Sequence, residues 1–223
     1  MSVEFTATSD NEIYDTTTNM GLGPAITVAL RARVDATQTD AISRAVTITD
    51  SGAFVTAISL YETAGNWALQ LRNSGNASIL VSPTTPVTTT GFDSYVAVLH
   101  GTTTYSTFIN GSVKQDTVTI NNSLDFTGVT SFNDITIGGR AGASQDWDGF
   151  LADVAVWNAA LTDDEALAYT NGLSPLAIRP QSLHVHWEGL TGTTNERMQN
   201  ITLTYSTEPS LSNSDNPQII FAE

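Results

Sequence analysis

The sequence predicts an all-β protein in which antiparallel sheets pack as a sandwich or barrel, with one short helix near residues 162–170. Short runs of β-branched, aromatic and aliphatic residues recur from one end of the chain to the other. Clusters of Gly, Asn, Asp, Ser and Pro separate these runs. The helices that a parallel sheet needs between its strands are missing.

In chain order the strand-like runs are Val3 to Thr8, Ile26 to Val34, Ile42 to Thr49, Phe54 to Tyr61, Trp67 to Leu71 and Ala77 to Val81. They continue with Tyr95 to Leu99, Tyr105 to Ile109, Ser112 to Ile120, Ile135 to Ile137 and Phe150 to Trp157. Asn110-Gly111 lies between two alternating runs and favours the positive φ values of a two-residue type I′ hairpin. The stretch Ser82 to Gly91 holds two prolines and reads as a connection across the sandwich.

The start of the helix is well specified. Thr162 and Glu165 form a capping box, Leu161 and Ala166 a hydrophobic staple, and Asp163 and Asp164 suit the positive end of the helix dipole. Asn171-Gly172 supplies the stop. Beyond it, short strands are expected around Leu183 to Trp187, Ile201 to Tyr205 and Ile219 to Phe221, the last fixed against the N-terminal strand. Residues 1–172 read as one domain and 173–223 as an extension packed on it.

Composition narrows the chemistry. With 23 acidic against 8 basic residues, the net charge of −15 argues against nucleic acid or anionic membrane as a partner. The chain holds no cysteine, which removes disulfides, thiolate metal sites and a cysteine nucleophile. No run approaches the roughly 18 apolar residues of a membrane span, and the first residues lack the pattern of a secretory signal. His184 and His186 share a strand face, but two ligands without a third make a poor metal site, so packing is the expectation.

The stretch from Asp134 to Tyr169 resembles the last third of laminin-G-like, concanavalin A-like jelly rolls. It has a strand ending in Ile-Gly-Gly, a variable loop, a Gly before the strand Phe150 to Trp157, then Asn158 and a short helix. The runs around Trp67 and the Asn110-Gly111 hairpin resemble the family's middle strands. That resemblance implies a concanavalin A-like β-sandwich jelly roll. The segment after Gly172, with Ser174-Pro175-Leu176 and Ile178-Arg179-Pro180, resembles an extension found in tailed-phage structural proteins.

Together these resemblances imply a non-enzymatic virion protein, a capsid decoration or appendage component assembled in a host cytoplasm. Its partners would be virion proteins such as the capsid lattice, with Pro217 to Phe221 as an attachment strand. A homo-oligomer is compatible with this role but is not specified by the sequence. The alternative is a lectin module binding glycans, in a virion adsorption device or a secreted bacterial protein.

Glucanases of this fold carry Glu-x-Asp-x-x-Glu on one strand, a pattern no glutamate here begins, so hydrolysis is not expected. Many relatives bind a structural calcium through a carboxylate where this chain has Ala152. Asp10, Asp15, Asp146 and Asp148 remain as alternative oxygen donors, and no cofactor is expected.

For ligand binding, Arg140, Gln145, Asp146, Trp147 and Asp148 combine a flat aromatic with planar polar groups suited to sugars, and Tyr61, Asn66 and Trp67 form a second set; the alternative for each is a tryptophan packed against the sheet edge. Strand alternation puts Phe150, Ala152, Val154 and Val156 inward, and Leu151, Asp153, Ala155 and Trp157 outward. Asp153 reads as a hydrogen-bonded scaffold residue, whose change to Asn should alter stability only modestly.

Overall fold

A computed structural model describes residues 2–5, 13–15, 21–35, 42–49, 57–72, 78–120, 134–139, 145–188, 204–205 and 210–212. The strands are β1 (Ser2–Phe5), β2 (Ile13–Asp15), β3 (Ala25–Val34), β4 (Ser43–Thr49), β5 (Ala57–Thr63), β6 (Asn66–Arg72) and β7 (Ser78–Pro86). There follow β8 (Asp93–His100), β9 (Thr104–Ile109), β10 (Ser112–Thr119), β11 (Asp134–Ile137) and β12 (Gly149–Trp157). After the helix α1 (Asp163–Thr170) come a 3-10 turn (Pro175–Ala177), β13 (Leu183–Glu188), β14 (Thr204–Tyr205) and β15 (Ser210–Ser212).

They form two antiparallel sheets, as expected of a concanavalin A-like jelly roll. The first runs β10-β9-β8-β3-β12-β1-β15, and the second β14-β2-β11-β4-β5-β6-β7. One side of β12 is shared, because β1 pairs with residues 149–151 and β13 with residues 153–157. The core between the sheets holds Val28, Leu30, Leu69, Tyr95, Leu151, Val154 and the indoles of Trp67 and Trp147. A second apolar layer covers the outer face of the first sheet, where Ala29, Val96, Phe108 and Trp157 meet Leu161, Ala166 and Tyr169 of the helical segment.

Both turn predictions from local residues hold. Asn110 and Gly111 adopt φ of 49° and 73°, the conformation of a type I′ turn. Thr162 accepts from the Glu165 amide while the Glu165 carboxylate accepts from the Thr162 amide, closing the capping box. Thr162→Ala should therefore lower the unfolding free energy by about 1 kcal/mol, measured by urea denaturation.

Three expectations need correction. The first half of the segment expected as a connection from Ser82 to Gly91 is strand, since β7 extends to Pro86. It is the terminal strand of its sheet, where a proline without an N–H costs no ladder bond on the open side. The late strand paired with β1 is Ser210–Ser212, while Pro217 to Phe221 and Asp10 lie outside the described residues. Asp15 belongs to β2 and pairs with Ile135.

The third correction concerns β12. Its register with β3 passes from Leu151 opposite Ala32 to Asp153 opposite Arg31, so Ala152 is the extra residue of a bulge. Before the bulge the alternation is therefore inverted. Leu151 joins the inner core with Val154 and Val156, whereas Phe150 turns outward beneath the Arg33 guanidinium, 4.1 Å from its ring centre. Gly149 opens this strand with φ of 147°, and a β-carbon there would stand 2.2 Å from the Arg33 carbonyl oxygen. Only glycine lets β12 enter so close to β3.

Candidate functional site

On the outer face of the second sheet, a cation and two amides are drawn together from distant parts of the chain. Arg44 of β4 stands opposite Tyr61 of β5, and its guanidinium lies 5.3 Å from the Tyr61 ring centre. Its Nε donates to Gln145 Oε1 and its Nη2 to Gln70 Oε1, both at 2.7 Å. The Arg44 backbone amide also donates to the Gln145 carbonyl at 3.1 Å, so both main chain and side chain hold Gln145 to this sheet.

Two polar groups beside this arginine are uncommitted. The Tyr61 hydroxyl is buried without a hydrogen-bond partner, and half-buried Gln145 has its Oε1 engaged while its Nε2 makes no bond among the described residues. Burial pushes the Tyr61 phenol above its ordinary pKa, partly offset by the Arg44 charge, so it remains a neutral hydroxyl. A buried orphan hydroxyl is costly unless something completes it.

The aromatic platforms expected from the sequence are not available there. Trp147 and Trp67 are fully buried and stacked on each other, with centroids 5.5 Å apart and planes 16° from parallel. The Trp147 amide donates to the Gly138 carbonyl at 2.8 Å, drawing the loop's end into the sandwich, where the large apolar ring gains more from burial than from exposure. Trp67 donates through Nε1 to Asp93 at 2.8 Å. Asp146 and Asp148 are buried beside Trp147, and Asn66 donates to the Ala64 carbonyl within its own hairpin. Arg140 lies outside the described residues.

Asp93, which sequence reasoning passed over, is a structural hub. Besides Trp67, its carboxylate accepts from the Thr88 amide, the Thr88 hydroxyl and Asn110 Nδ2, each at 2.7 Å. Its isolated position before an apolar strand was the only signal in the sequence. Arg44 had a comparable one, as the one charged residue in the run from Ile42 to Thr49.

Asp153 is closed to substrate. It is fully buried under α1, accepting from Arg31 Nη1 at 2.9 Å and from His186 Nε2 at 3.0 Å. Arg31 further donates to the carbonyls of Tyr169 and Leu173, at 2.8 and 2.9 Å. The pair of histidines is thus divided by task, since His186 serves this buried ion pair. Among the described residues, no three His, Cys, Asp or Glu side chains cluster as a metal site.

Comparison with known proteins gives the following. A model of the concanavalin A-like lectin/glucanases superfamily matches residues 7–166. No curated protein matches the sequence. Among solved structures, the CBM40 of a Ruminococcus gnavus IT-sialidase bound to α2,3-sialyllactose is similar with a TM-score of 0.61 at 18% identity, covering 76% of this chain and 96% of that one. A native heptameric SAP-like pentraxin from Limulus polyphemus gives 0.61 at 16% identity, covering 94% of this chain and 97% of that one. A candidate carbohydrate-binding protein from Bacteroides ovatus gives 0.63 at 15% identity, covering 92% of this chain and 58% of that one.

Proposed function

Because this chain belongs to the concanavalin A-like lectin/glucanases superfamily, we propose that it is a non-catalytic carbohydrate-binding module whose site is the outer face of the second sheet around Arg44. The observation that carries this reading is half-buried Gln145, whose Nε2 is uncommitted at the accessible edge of a buried cluster formed by Arg44 and the unpartnered Tyr61 hydroxyl. A sugar hydroxyl can accept from the Gln145 Nε2–H. The sialyllactose-bound structural relative supports glycan as the ligand class by analogy of fold. Engagement of Asp153 by Arg31 and His186 favours binding over hydrolysis, because that carboxylate has no free oxygen to offer.

Screening on a glycan array followed by titration calorimetry tests the reading. Gln145→Ala should weaken the best ligand about tenfold in the folded variant and, because it also leaves the buried Arg44 Nε without its acceptor, lower the unfolding free energy by about 1–3 kcal/mol. An array without a hit, or a variant that binds as well as the parent, would end it.

A second reading sets the same module on a phage particle as a capsid decoration or appendage component, docked on virion proteins. Its support is the resemblance carried by Ser174-Pro175-Leu176 and Ile178-Arg179-Pro180. Mass spectrometry of purified particles decides it, since absence of the chain from any virion refutes the role.

A further inference from the structure

An open cleft of about 360 Å³ lies on the other side of the sandwich, where the end of α1 approaches the Asn110-Gly111 hairpin. Its lining includes Arg31, Phe92, Ser94, Thr170 and Asn171. Arg31 is 1% exposed, and although both terminal nitrogens are engaged, its Nε has no hydrogen-bond partner. A β-carbon on Gly111 would lie 2.5 Å from Asn171 Oδ1, so the absence of a side chain there is what admits the asparagine to the rim.

The walls are held rigidly. Asn110 donates to Asp93 and accepts from the Ser94 amide at 2.8 Å, so its side chain is spent on fixing the hairpin. Ser94 Oγ and the Asn171 side-chain carboxamide make no hydrogen bonds among the described residues, while the Asn171 backbone amide donates to the Leu167 carbonyl at 2.9 Å. Phe92 is half-buried, with the Arg33 guanidinium 5.8 Å from its ring centre.

We propose that this cleft is a second binding site, for one neutral pyranose ring, in which Arg31 Nε, Ser94 Oγ and the Asn171 side-chain carboxamide meet hydroxyls and Phe92 offers an apolar face. The inference goes beyond the site around Arg44 and does not depend on it. A neutral ligand is favoured over an anion for two reasons. The Arg31 charge is already balanced by Asp153 at 2.9 Å, and the cleft borders the C-terminal end of α1, the negative end of its dipole. A metal ion is disfavoured because no carboxylate is among the described residues that line the cleft.

The experiment is a titration of ¹⁵N-labelled protein with methyl α-glucopyranoside, methyl α-galactopyranoside and methyl α-mannopyranoside, followed at the Arg31 Nε–H and Asn171 side-chain carboxamide resonances. Saturable shifts with a dissociation constant on the order of 1 mM are expected for at least one glycoside. Phe92→Ala and Asn171→Ala should each weaken that binding about tenfold, whereas Gln145→Ala should leave it unchanged. Resonances that stay still with all three glycosides overturn the proposal. So do shifts produced by sodium acetate in place of the glycosides, or two folded variants that bind as the parent does. Loss of array binding on Gln145→Ala, with these shifts retained, separates this site from the one around Arg44.

Discussion

Trp147→Ala is expected to lower the unfolding free energy by about 3–5 kcal/mol. The indole is fully buried between the sheets and its face lies on Trp67. Truncation loses the transfer energy of a large aromatic and leaves a cavity beside that partner. Collapse into the cavity is restricted, because Trp67 Nε1 is tethered to Asp93, whose other contacts fix Thr88 and Asn110. Urea denaturation should show the midpoint falling at nearly constant slope. Trp147→Phe should recover a large part of the loss, since it keeps an aromatic face against Trp67. An exposed binding platform would give the reverse pattern, with glycan affinity lost at an unchanged midpoint.

The fold was legible wherever a few neighbouring residues carried the signal. Asn110-Gly111 and the Thr162–Glu165 capping box each specify a backbone conformation within a few residues, and both occur as read. The bulge at Ala152 was not legible, because alanine fits either face and marks no insertion; the inversion of Phe150 and Leu151 followed from that one residue. The hairpin at Ala64-Gly65, with φ of 50° and 78°, was missed because alanine is a poor residue for the left-handed region.

The candidate site was legible as residue types and not as an arrangement. Tyr61 and Gln145 were singled out in separate groups, and they meet only through Arg44, which lies 101 residues from Gln145 in sequence. Trp147 failed for a related reason. An aromatic flanked by Gln145, Asp146 and Asp148 reads the same whether it faces water or core, and the deciding contact, Trp67, comes from a different strand of the sandwich.

Asp153→Asn should cost about 3–5 kcal/mol, well beyond the modest change that the sequence suggested. The carboxylate and the Arg31 guanidinium are 0% and 2% exposed, and removing one charge leaves the other unbalanced in a nearly fully buried place. Asparagine retains one acceptor oxygen. If that oxygen faces Arg31, the new NH₂ faces His186, whose imidazole offers a tautomer that accepts it at Nε2. The hydrogen bonds can therefore be rebuilt, and the charge is what is lost. Arg31 also holds the carbonyls of Tyr169 and Leu173, so loosening should begin where α1 ends, visible as faster amide exchange there than in β12. Replacing both partners at once, as Arg31→Met with Asp153→Leu, should restore much of the stability, because two apolar side chains leave no unpaired charge. A single Asp153→Asn change costing under about 1 kcal/mol would mean that the buried pair carries far less of the first sheet's attachment to α1 than its geometry indicates.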